Sequence, residues 1–205
     1  MNKSFYYHSI ITISFFLNII GCSYKFQSAV NPWQEYSIKT VYIKIISNNS
    51  LRAGEEVHFT SAFVKTFSRG NKLKVVNDSK NADVVVNASI ENIASTISSS
   101  TNVPTLTQDK VASQKLSDMV VATEYIATAT VAVQLTKGEN NLNPKIPSVL
   151  LVQNFTRQKI YPANTQFGLP GTTSVLINDS QFQLALNEIA TGISADAYDT
   201  MLEYF

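Results

Sequence analysis

The sequence has little cysteine, since Cys22 is the only one among 205 residues. A disulfide within the chain is therefore excluded, since it needs two cysteines. A zinc site built from several thiolates is excluded for the same reason. What remains to be explained is the role of one cysteine near the amino terminus.

Catalytic side chains are also scarce, with two histidines and seven glycines in the chain. Beyond residue 21 the only histidine is His58, and its place early in a predicted helix favours a solvated side chain over a catalytic base. No glycines are spaced as GxGxxG or GxxxxGK[ST], which excludes the common phosphate-binding loops. Asp78, Asp83 and Glu91 lack the pairing of a two-carboxylate site. We therefore expect no catalytic residue, no metal site and no cofactor.

An excess of positive charge is missing as well. The chain has 16 Lys and Arg against 15 Asp and Glu, a formal net charge of +1. Proteins that grip nucleic acid backbones carry basic patches or runs, and none is visible here. Nucleic acid is therefore not an expected partner.

Residues 1–21 have the pattern of a secretory signal peptide. Lys3 supplies the positive amino-terminal region, and SIITISFFLNII (residues 9–20) supplies a short apolar core. This core is shorter than the ~20 apolar residues that a membrane-spanning helix needs. An uncleaved signal anchor with an incidental cysteine is the alternative.

The segment Ile19-Ile20-Gly21-Cys22 resembles the bacterial lipobox, in which an aliphatic and a small residue precede a lipid-modified cysteine. A small residue at the cleavage site admits the peptidase, and the thiol takes the lipid. Several acyl chains anchor a protein far more firmly than the marginal single chain. We predict lipidation of Cys22, a lipid-anchored tether over residues 22–37 and a single domain over residues 38–205.

Apolar periodicity predicts the elements of this domain in the order β-α-β-β-β-β-α. Alternating residues predict strands at 37–46, 71–77, 82–95, 119–136 and 149–161, and SNNS (residues 47–50) is expected to end the first. Helical spacing predicts a helix over 54–67 that ends at Gly70, and a long carboxy-terminal helix capped by Asn178, Asp179 or Ser180. Residues 98–118 show no period and are predicted to form a long polar loop.

This order predicts an α+β fold, a two-layer sandwich with a mixed sheet of four to five strands and two helices on one face. A strand-helix-strand start implies parallel strands joined by a crossover. The later strands follow one another as hairpins, which are antiparallel. Both predicted helices then cover the apolar side of the sheet.

The element order and several segments resemble the lipopolysaccharide-assembly lipoproteins. The segments, from the lipobox to the last helix, are GCSYKF, KTVYIKIISNNS, FTSAFVKTFSRGNKLKVVN, ADVVVNASI, YIATATVAVQLT and MLEYF. The similarity is one of pattern and order over nearly the whole chain after residue 21.

The resemblance implies a non-catalytic protein on the periplasmic face of the outer membrane, held there by lipidated Cys22. It implies a one-to-one complex in which the domain plugs a large β-barrel partner and helps it pass lipopolysaccharide to the cell surface. Lipid A carries phosphates, so exposed cations near loop tips are the expected contacts. Lys137 is the first candidate, followed by Lys110, Lys115 and Arg157.

Two other functions stay open on the sequence. One is an auxiliary lipoprotein of another envelope lipid-transport or secretion complex, which would bind an inner-membrane transporter or form oligomers. The other is a lipid-anchored enzyme that uses His58, and the scarcity of catalytic groups makes it the weakest of the three.

Overall fold

The computed structural model describes residues 33, 36–104, 118–144, 146–164 and 171–204. They belong to one compact unit, Pro32–Phe205, and the other unit, Met1–Asn31, lies outside the described residues. The predicted signal peptide, Cys22 and most of the predicted tether therefore lie outside them as well. The tether's Trp33 is described, and it is fully buried.

The elements follow the predicted order, with one short strand added. In chain order they are β1 (Thr40–Ile43), β2 (Ser47–Asn48), α1 (Glu55–Arg69), β3 (Lys74–Val76), a 3-10 turn (Ser79–Asn81), β4 (Val84–Pro104), β5 (Asp118–Lys137), β6 (Val149–Pro162) and α2 (Gly171–Tyr204). The added strand is β2, which lies where SNNS was predicted to end the first strand. It forms because its backbone pairs with β4 after a short interruption at residues 44–46.

The sheet is mixed, as predicted, and its strand order is β3-β1-β4-β5-β6, with β2 also paired to β4. The first strand pairs in parallel with β3 and with β4, whereas β4-β5 and β5-β6 are antiparallel. The α+β class is confirmed, with six strands among the described residues instead of four or five.

The β4-β5 pair is much longer than the sequence predicted. Its register runs from Val84 opposite Lys137 to Pro104 opposite Asp118. The predicted loop over 98–118 is therefore wrong at both ends, because each strand continues into it. Residues 95–102 are exposed, so no inside-outside alternation marks them as a strand. The β4-β5 register shifts between Ile90 and Asn92, close to Ile93, where the alternation of the sequence changes phase.

Both helices cover one face of the sheet and share one apolar core. The predicted stripe of α2 is buried throughout, and so are three phenylalanines of α1 and alternate residues of β5. These residues are Phe182, Leu186, Ile189, Ile193, Ala197 and Met201 of α2, Phe59, Phe63 and Phe67 of α1, and Ala127, Ala129, Val131, Val133 and Leu135 of β5. At ~25 cal/mol per Å² of apolar surface, burial of this kind is the main stabilising term of the fold.

The end of α1 at Gly70 is as predicted, but the reason for the glycine is a close contact. Gly70 has ordinary right-handed helical torsions, and the left-handed position is taken by Asn71 at φ 53°. A Cβ atom on Gly70 would lie 2.1 Å from the hydroxyl oxygen of Tyr198. Tyr198 packs edge-on against Phe67, so the glycine lets α2 approach the end of α1.

The carboxy-terminal helix begins earlier than predicted, at Gly171. The predicted cap at residues 178–180 is wrong because these polar side chains make other contacts. Asn178 Oδ1 accepts a hydrogen bond from the backbone N–H of Asn164 at 2.6 Å. Asp179 accepts one from Arg52 at 2.8 Å, and Ser180 donates to the carbonyl of Leu176 one turn before it.

The carboxylate of Asp83 joins three segments at one end of the sheet. Its Oδ2 accepts hydrogen bonds from the backbone N–H groups of Lys39 and Thr40 and from the Thr40 hydroxyl, at 2.8–2.9 Å. Its Oδ1 accepts one from the Asn140 amide at 3.3 Å, and its backbone carbonyl accepts one from the N–H of Gly138. Asp83, which is 9% exposed, thus fixes the starts of β1 and β4 against the β5-β6 loop.

Replacing Asp83 by Ala should lower the free energy of unfolding by about 2–4 kcal/mol, because several donors at a nearly buried site lose their charged acceptor. Urea denaturation followed by circular dichroism measures the change. Glu139→Gln in the neighbouring exposed loop is the control and should stay within about 0.5 kcal/mol of the native chain. A similar stability for both variants would show that Asp83 does not hold the sheet end together.

Candidate interaction surface

The side of β4, β5 and β6 that points away from the helices is here called the outer face. Cross-strand register defines its members, since paired residues lie on the same side. They are Val85, Asn87, Ser89, Asn92, Ala94 and Thr96 of β4, Ile126, Thr128, Thr130, Ala132, Gln134 and Thr136 of β5, and Val152, Asn154, Thr156, Gln158 and Ile160 of β6. None of these residues is charged, and the first charge along β5 on this side is the exposed Glu124, two residues before Ile126.

Hydroxyl and amide groups of the outer face bond to one another across the strands. The hydroxyls of Thr130 and Thr156 are 2.9 Å apart. The Asn87 amide donates to the Thr136 hydroxyl at 3.2 Å, and that hydroxyl lies 3.3 Å from the carbonyl of Val85. Such a surface suits a partner that is itself hydrated and polar, because an apolar cover would leave the remaining hydroxyls and amides without partners.

The charges of β6 point to the opposite side, where α2 packs. Arg157 Nε and Nη2 each donate to a carboxylate oxygen of Asp196 at 2.6 Å. Lys159 forms an ion pair with Glu188 on the same helix. A Cβ atom on Gly192 would lie 2.7 Å from Arg157 Cδ, so this glycine leaves room for the arginine. Charge is thereby directed to one side of β6 and kept off the outer face.

The far ends of β4 and β5 extend past the rest of the sheet as a two-stranded ribbon, which consists of residues 100–104 and 118–122. The last pair of β5 with β6 is Glu124 opposite Pro162, so the ribbon strands pair only with each other among the described residues. Val120 in the ribbon is 67% exposed, and Ile97, three residues before the ribbon on β4, is 62% exposed. An isolated pair of strands is marginally stable in water, so a surface that covers the ribbon would stabilise it.

Two of the four predicted lipopolysaccharide contacts, Lys137 and Arg157, are among the described residues. Lys137 ends β5 at the Asp83 side of the sheet, and its ammonium donates to the carbonyl of Asn143 at 2.5 Å. Arg157 is bound to Asp196 on the helix side. Lys110 and Lys115 lie outside the described residues, in the stretch that joins the two ribbon strands.

Sequence reasoning missed the polar cluster that joins the start of α1 to α2. Arg52 donates to Glu55 at 3.0 Å and to Asp179 at 2.8 Å, and its guanidinium lies 4.6 Å from the ring centre of Phe182. Gln183 donates to the other oxygen of Glu55 at 3.0 Å, which explains how a carboxylate only 3% exposed is tolerated. These contacts join residues far apart in the chain, so no local sequence pattern predicts them.

No constellation suited to chemistry appears in the parts of the chain that the structure describes. His58 lies on an exposed side of α1. Within the same residues, no group of three or more His, Cys, Asp or Glu side chains could hold a metal ion. The described helices include none that is both long and apolar enough to cross a membrane.

The sequence model of the lipopolysaccharide-assembly family LptE matches residues 38–201. The chain belongs to this family. The match covers the described domain from Ile38 to the last turn of α2. It confirms the resemblance inferred from the sequence and supports a role in lipopolysaccharide assembly. The family is one of non-enzymatic lipoproteins associated with the outer membrane.

Several solved structures are similar to the chain at low identity. Rare lipoprotein B from Shewanella oneidensis is 12% identical, with 79% of this chain and 94% of that chain covered and a TM-score of 0.41. A protein from Xanthomonas campestris is 13% identical, with 82% and 88% covered and a TM-score of 0.44. A hypothetical protein from Chlamydia trachomatis is 10% identical, with 78% and 96% covered and a TM-score of 0.44. No curated protein sequence matches significantly.

The pair of Arg157 and Asp196 gives a prediction about pH. The hydrogen bond from Arg157 holds the pKa of the Asp196 carboxyl below its ordinary range, against the opposing effect of partial burial. The pair therefore stabilises the fold above the unfolded value of about 3.9, and that stability is lost as the pH falls through the lower folded pKa. Arg157→Gln should raise the pKa of Asp196 in a carbon NMR titration.

The same variant should cost at most about 1 kcal/mol near pH 6, since the pair is well exposed, and the difference should vanish at low pH. Lys159→Gln removes the neighbouring ion pair and should leave the pKa of Asp196 unchanged. An unaltered Asp196 titration in the Arg157 variant would mean that the two side chains are not paired in solution.

Proposed function

We propose that this protein is a non-catalytic lipoprotein of lipopolysaccharide assembly whose domain plugs a β-barrel partner in the outer membrane. The family match over residues 38–201 is the observation that carries the proposal. The proposed complex is one-to-one, with the outer face and the ribbon against the inner wall of the barrel. Barrel interiors are polar and hydrated, which suits an uncharged surface of hydroxyls and amides.

The size of the outer face supports a specific contact. Three strands spaced ~4.8 Å apart, each contributing about ten residues at ~3.3 Å, give roughly 500 Å² on this side of the interface. With an equal area on the partner, the buried total is about 1,000 Å², which meets the lower threshold of ~1,000 Å² for a biological interface before the ribbon is counted. Depletion of charge is also typical of the central part of such interfaces.

Site-specific photocrosslinking in intact cells tests the partner. A photoreactive residue at Gln158 of the outer face or at Val120 of the ribbon should yield a one-to-one product with a large outer-membrane β-barrel, identified by mass spectrometry. The matched control is Thr191, an exposed residue on the solvent side of α2. Products from Thr191 alone would contradict the proposed orientation. A product with an inner-membrane transporter or with a second copy would replace the barrel proposal by the auxiliary-lipoprotein alternative.

For the lipopolysaccharide contacts, the arrangement of the described cations favours two of the four candidates. The charges of Lys137 and Arg157 are already bonded within the chain, to Asn143 and Asp196. A phosphate would have to compete with those bonds. We therefore propose Lys110 and Lys115, in the stretch that joins the ribbon strands, as the main contacts with lipid A phosphates, with Lys137 and Arg157 as secondary ones.

Lipidation of Cys22 is the proposed means of attachment to the periplasmic face of the outer membrane. The intact mass of the protein purified from membranes should correspond to a chain that begins at Cys22 and carries a diacylglycerol and an amide-linked acyl group. Cys22→Ala should retain residues 1–21, because the lipoprotein peptidase acts on the modified cysteine. A native protein that keeps residues 1–21 and has an unmodified thiol would support the uncleaved signal anchor instead.

A further inference from the structure

A basic cleft opens at the edge of the sheet, between β1, β3 and the end of α1. Its volume is about 500 Å³, and its polar lining consists of Lys39, Lys72 and Lys74 with Ser68 and Asn71. Leu73 and Val75 complete the lining, so no acidic side chain contributes to it. Three cations around one cleft stand out in a chain whose net charge is only +1.

The backbone holds the lysines of the two strands close together. Lys74 donates its backbone N–H to the carbonyl of Lys39 at 2.9 Å, and Thr40 is the register partner of Lys74. Among the ion pairs of the described residues, none involves Lys39 or Lys74. The carboxylate of Asp83 lies beside Lys39, and its oxygens already accept four hydrogen bonds, two of them from the backbone of Lys39 and Thr40.

Compensation of the helix end does not account for all three lysines. The carbonyl end of α1 carries partial negative charge, which favours a cation just beyond it, such as Lys72. Lys39 precedes β1 and Lys74 begins β3, so both are placed by strands and not by the helix. A cleft with three ammonium groups offers a compact anion the point charges and hydrogen-bond donors that phosphate oxygens accept.

We propose that this cleft binds a phosphate-bearing anion, with Lys39, Lys72 and Lys74 as its ligands, and that the natural source is the headgroup of an anionic phospholipid. The position of the cleft supports that source. Ile38 donates its backbone N–H to the carbonyl of buried Trp33 at 2.9 Å, so the cleft begins where the chain from Cys22 enters the domain. A fully extended stretch from Cys22 to Trp33 spans at most about 40 Å.

The choice of a lipid headgroup over free phosphate rests on the proposed lipidation of Cys22, whereas the anion site itself does not. A lipidated protein keeps the cleft within reach of a membrane surface, where each lysine adds to the attraction toward anionic lipid. The three cleft lysines are different residues from the four proposed lipopolysaccharide contacts, Lys110, Lys115, Lys137 and Arg157.

Amine modification read by mass spectrometry tests the proposal on the full protein as purified from membranes, since it reports every lysine separately. In phosphatidylcholine vesicles that contain phosphatidylglycerol, modification of Lys39, Lys72 and Lys74 should slow severalfold relative to phosphatidylcholine alone. Lys44 and Lys65, which lie outside the cleft, should react equally in both. In detergent, glycerol 1-phosphate should protect the same three lysines. Inorganic phosphate, the free anion, should protect them as well.

Paired variants provide the quantitative test. In Lys39→Gln/Lys74→Gln, the glycerol 1-phosphate concentration that half-protects Lys72 should rise on the order of 25-fold, or about fivefold per lysine. The matched control Lys44→Gln/Lys65→Gln should leave it unchanged. Exposed Lys-to-Gln changes leave the core intact, and circular dichroism verifies this.

The outcomes separate this inference from the proposed function. Protection by the soluble phosphates without protection by phosphatidylglycerol vesicles would confirm the anion site and overturn the lipid source. Absence of protection in every arm would overturn the site. Vesicles that contain lipopolysaccharide should protect Lys110 and Lys115 and leave the cleft lysines reactive. Protection of the cleft by lipopolysaccharide alone would overturn the assignment to phospholipid, and failure to protect Lys110 and Lys115 would count against the proposed lipopolysaccharide contacts only.

Discussion

The long antiparallel ladder between β4 and β5 is the constraint on which the rest of the molecule depends. It joins residues 84–104 to residues 118–137, and β1, β2 and β6 each pair with one of its two members, while β3 pairs with β1. Antiparallel pairing fixes which residues share a face, and one face of the ladder is apolar because β5 alternates alanine, valine and leucine there. A shift of one residue would bury the threonines of the opposite face, and the hydrogen bonds of Asp83 at one end oppose that shift.

The two faces of the sheet have opposite properties, and both follow from this register. The inner face forms the core with α1 and α2, and the charges of β6 are neutralised there by Asp196 and Glu188. The outer face, over the β4, β5 and β6 residues that define it, is uncharged and mostly polar. A protein that filled a hydrated lumen would need such a surface, since fixed charges facing a wall of unmatched charge would be costly to desolvate. The proposed plug function therefore uses the side of the sheet that the core leaves open.

Six cations of the described domain have either a bonded partner or a place in the cleft. Arg157 and Lys159 bind helix carboxylates, Lys137 binds a loop carbonyl, and Lys39, Lys72 and Lys74 surround a cleft beside the entry of the chain. The cleft and Lys137 lie at the same end of the sheet, since Lys39 donates its backbone N–H to Asp83 and Lys137 is the register partner of Val84.

The sequence by itself determined the element order, the mixed sheet, the apolar stripes of β5 and α2, and the family, since all of these depend on local periodicity or on the order of segments. It did not determine the length of the ribbon or the start of α2, because an exposed Ser/Thr-rich strand has no buried face to mark it, and Asn178 and Asp179 bond to distant residues instead of capping a helix. Nor did it reveal that Gly70 makes room for Tyr198 or that Arg157 is held by Asp196. It also did not reveal that Lys39, Lys72 and Lys74 share a cleft. Those facts depend on contacts between residues far apart in the chain, and only the tertiary structure decided them.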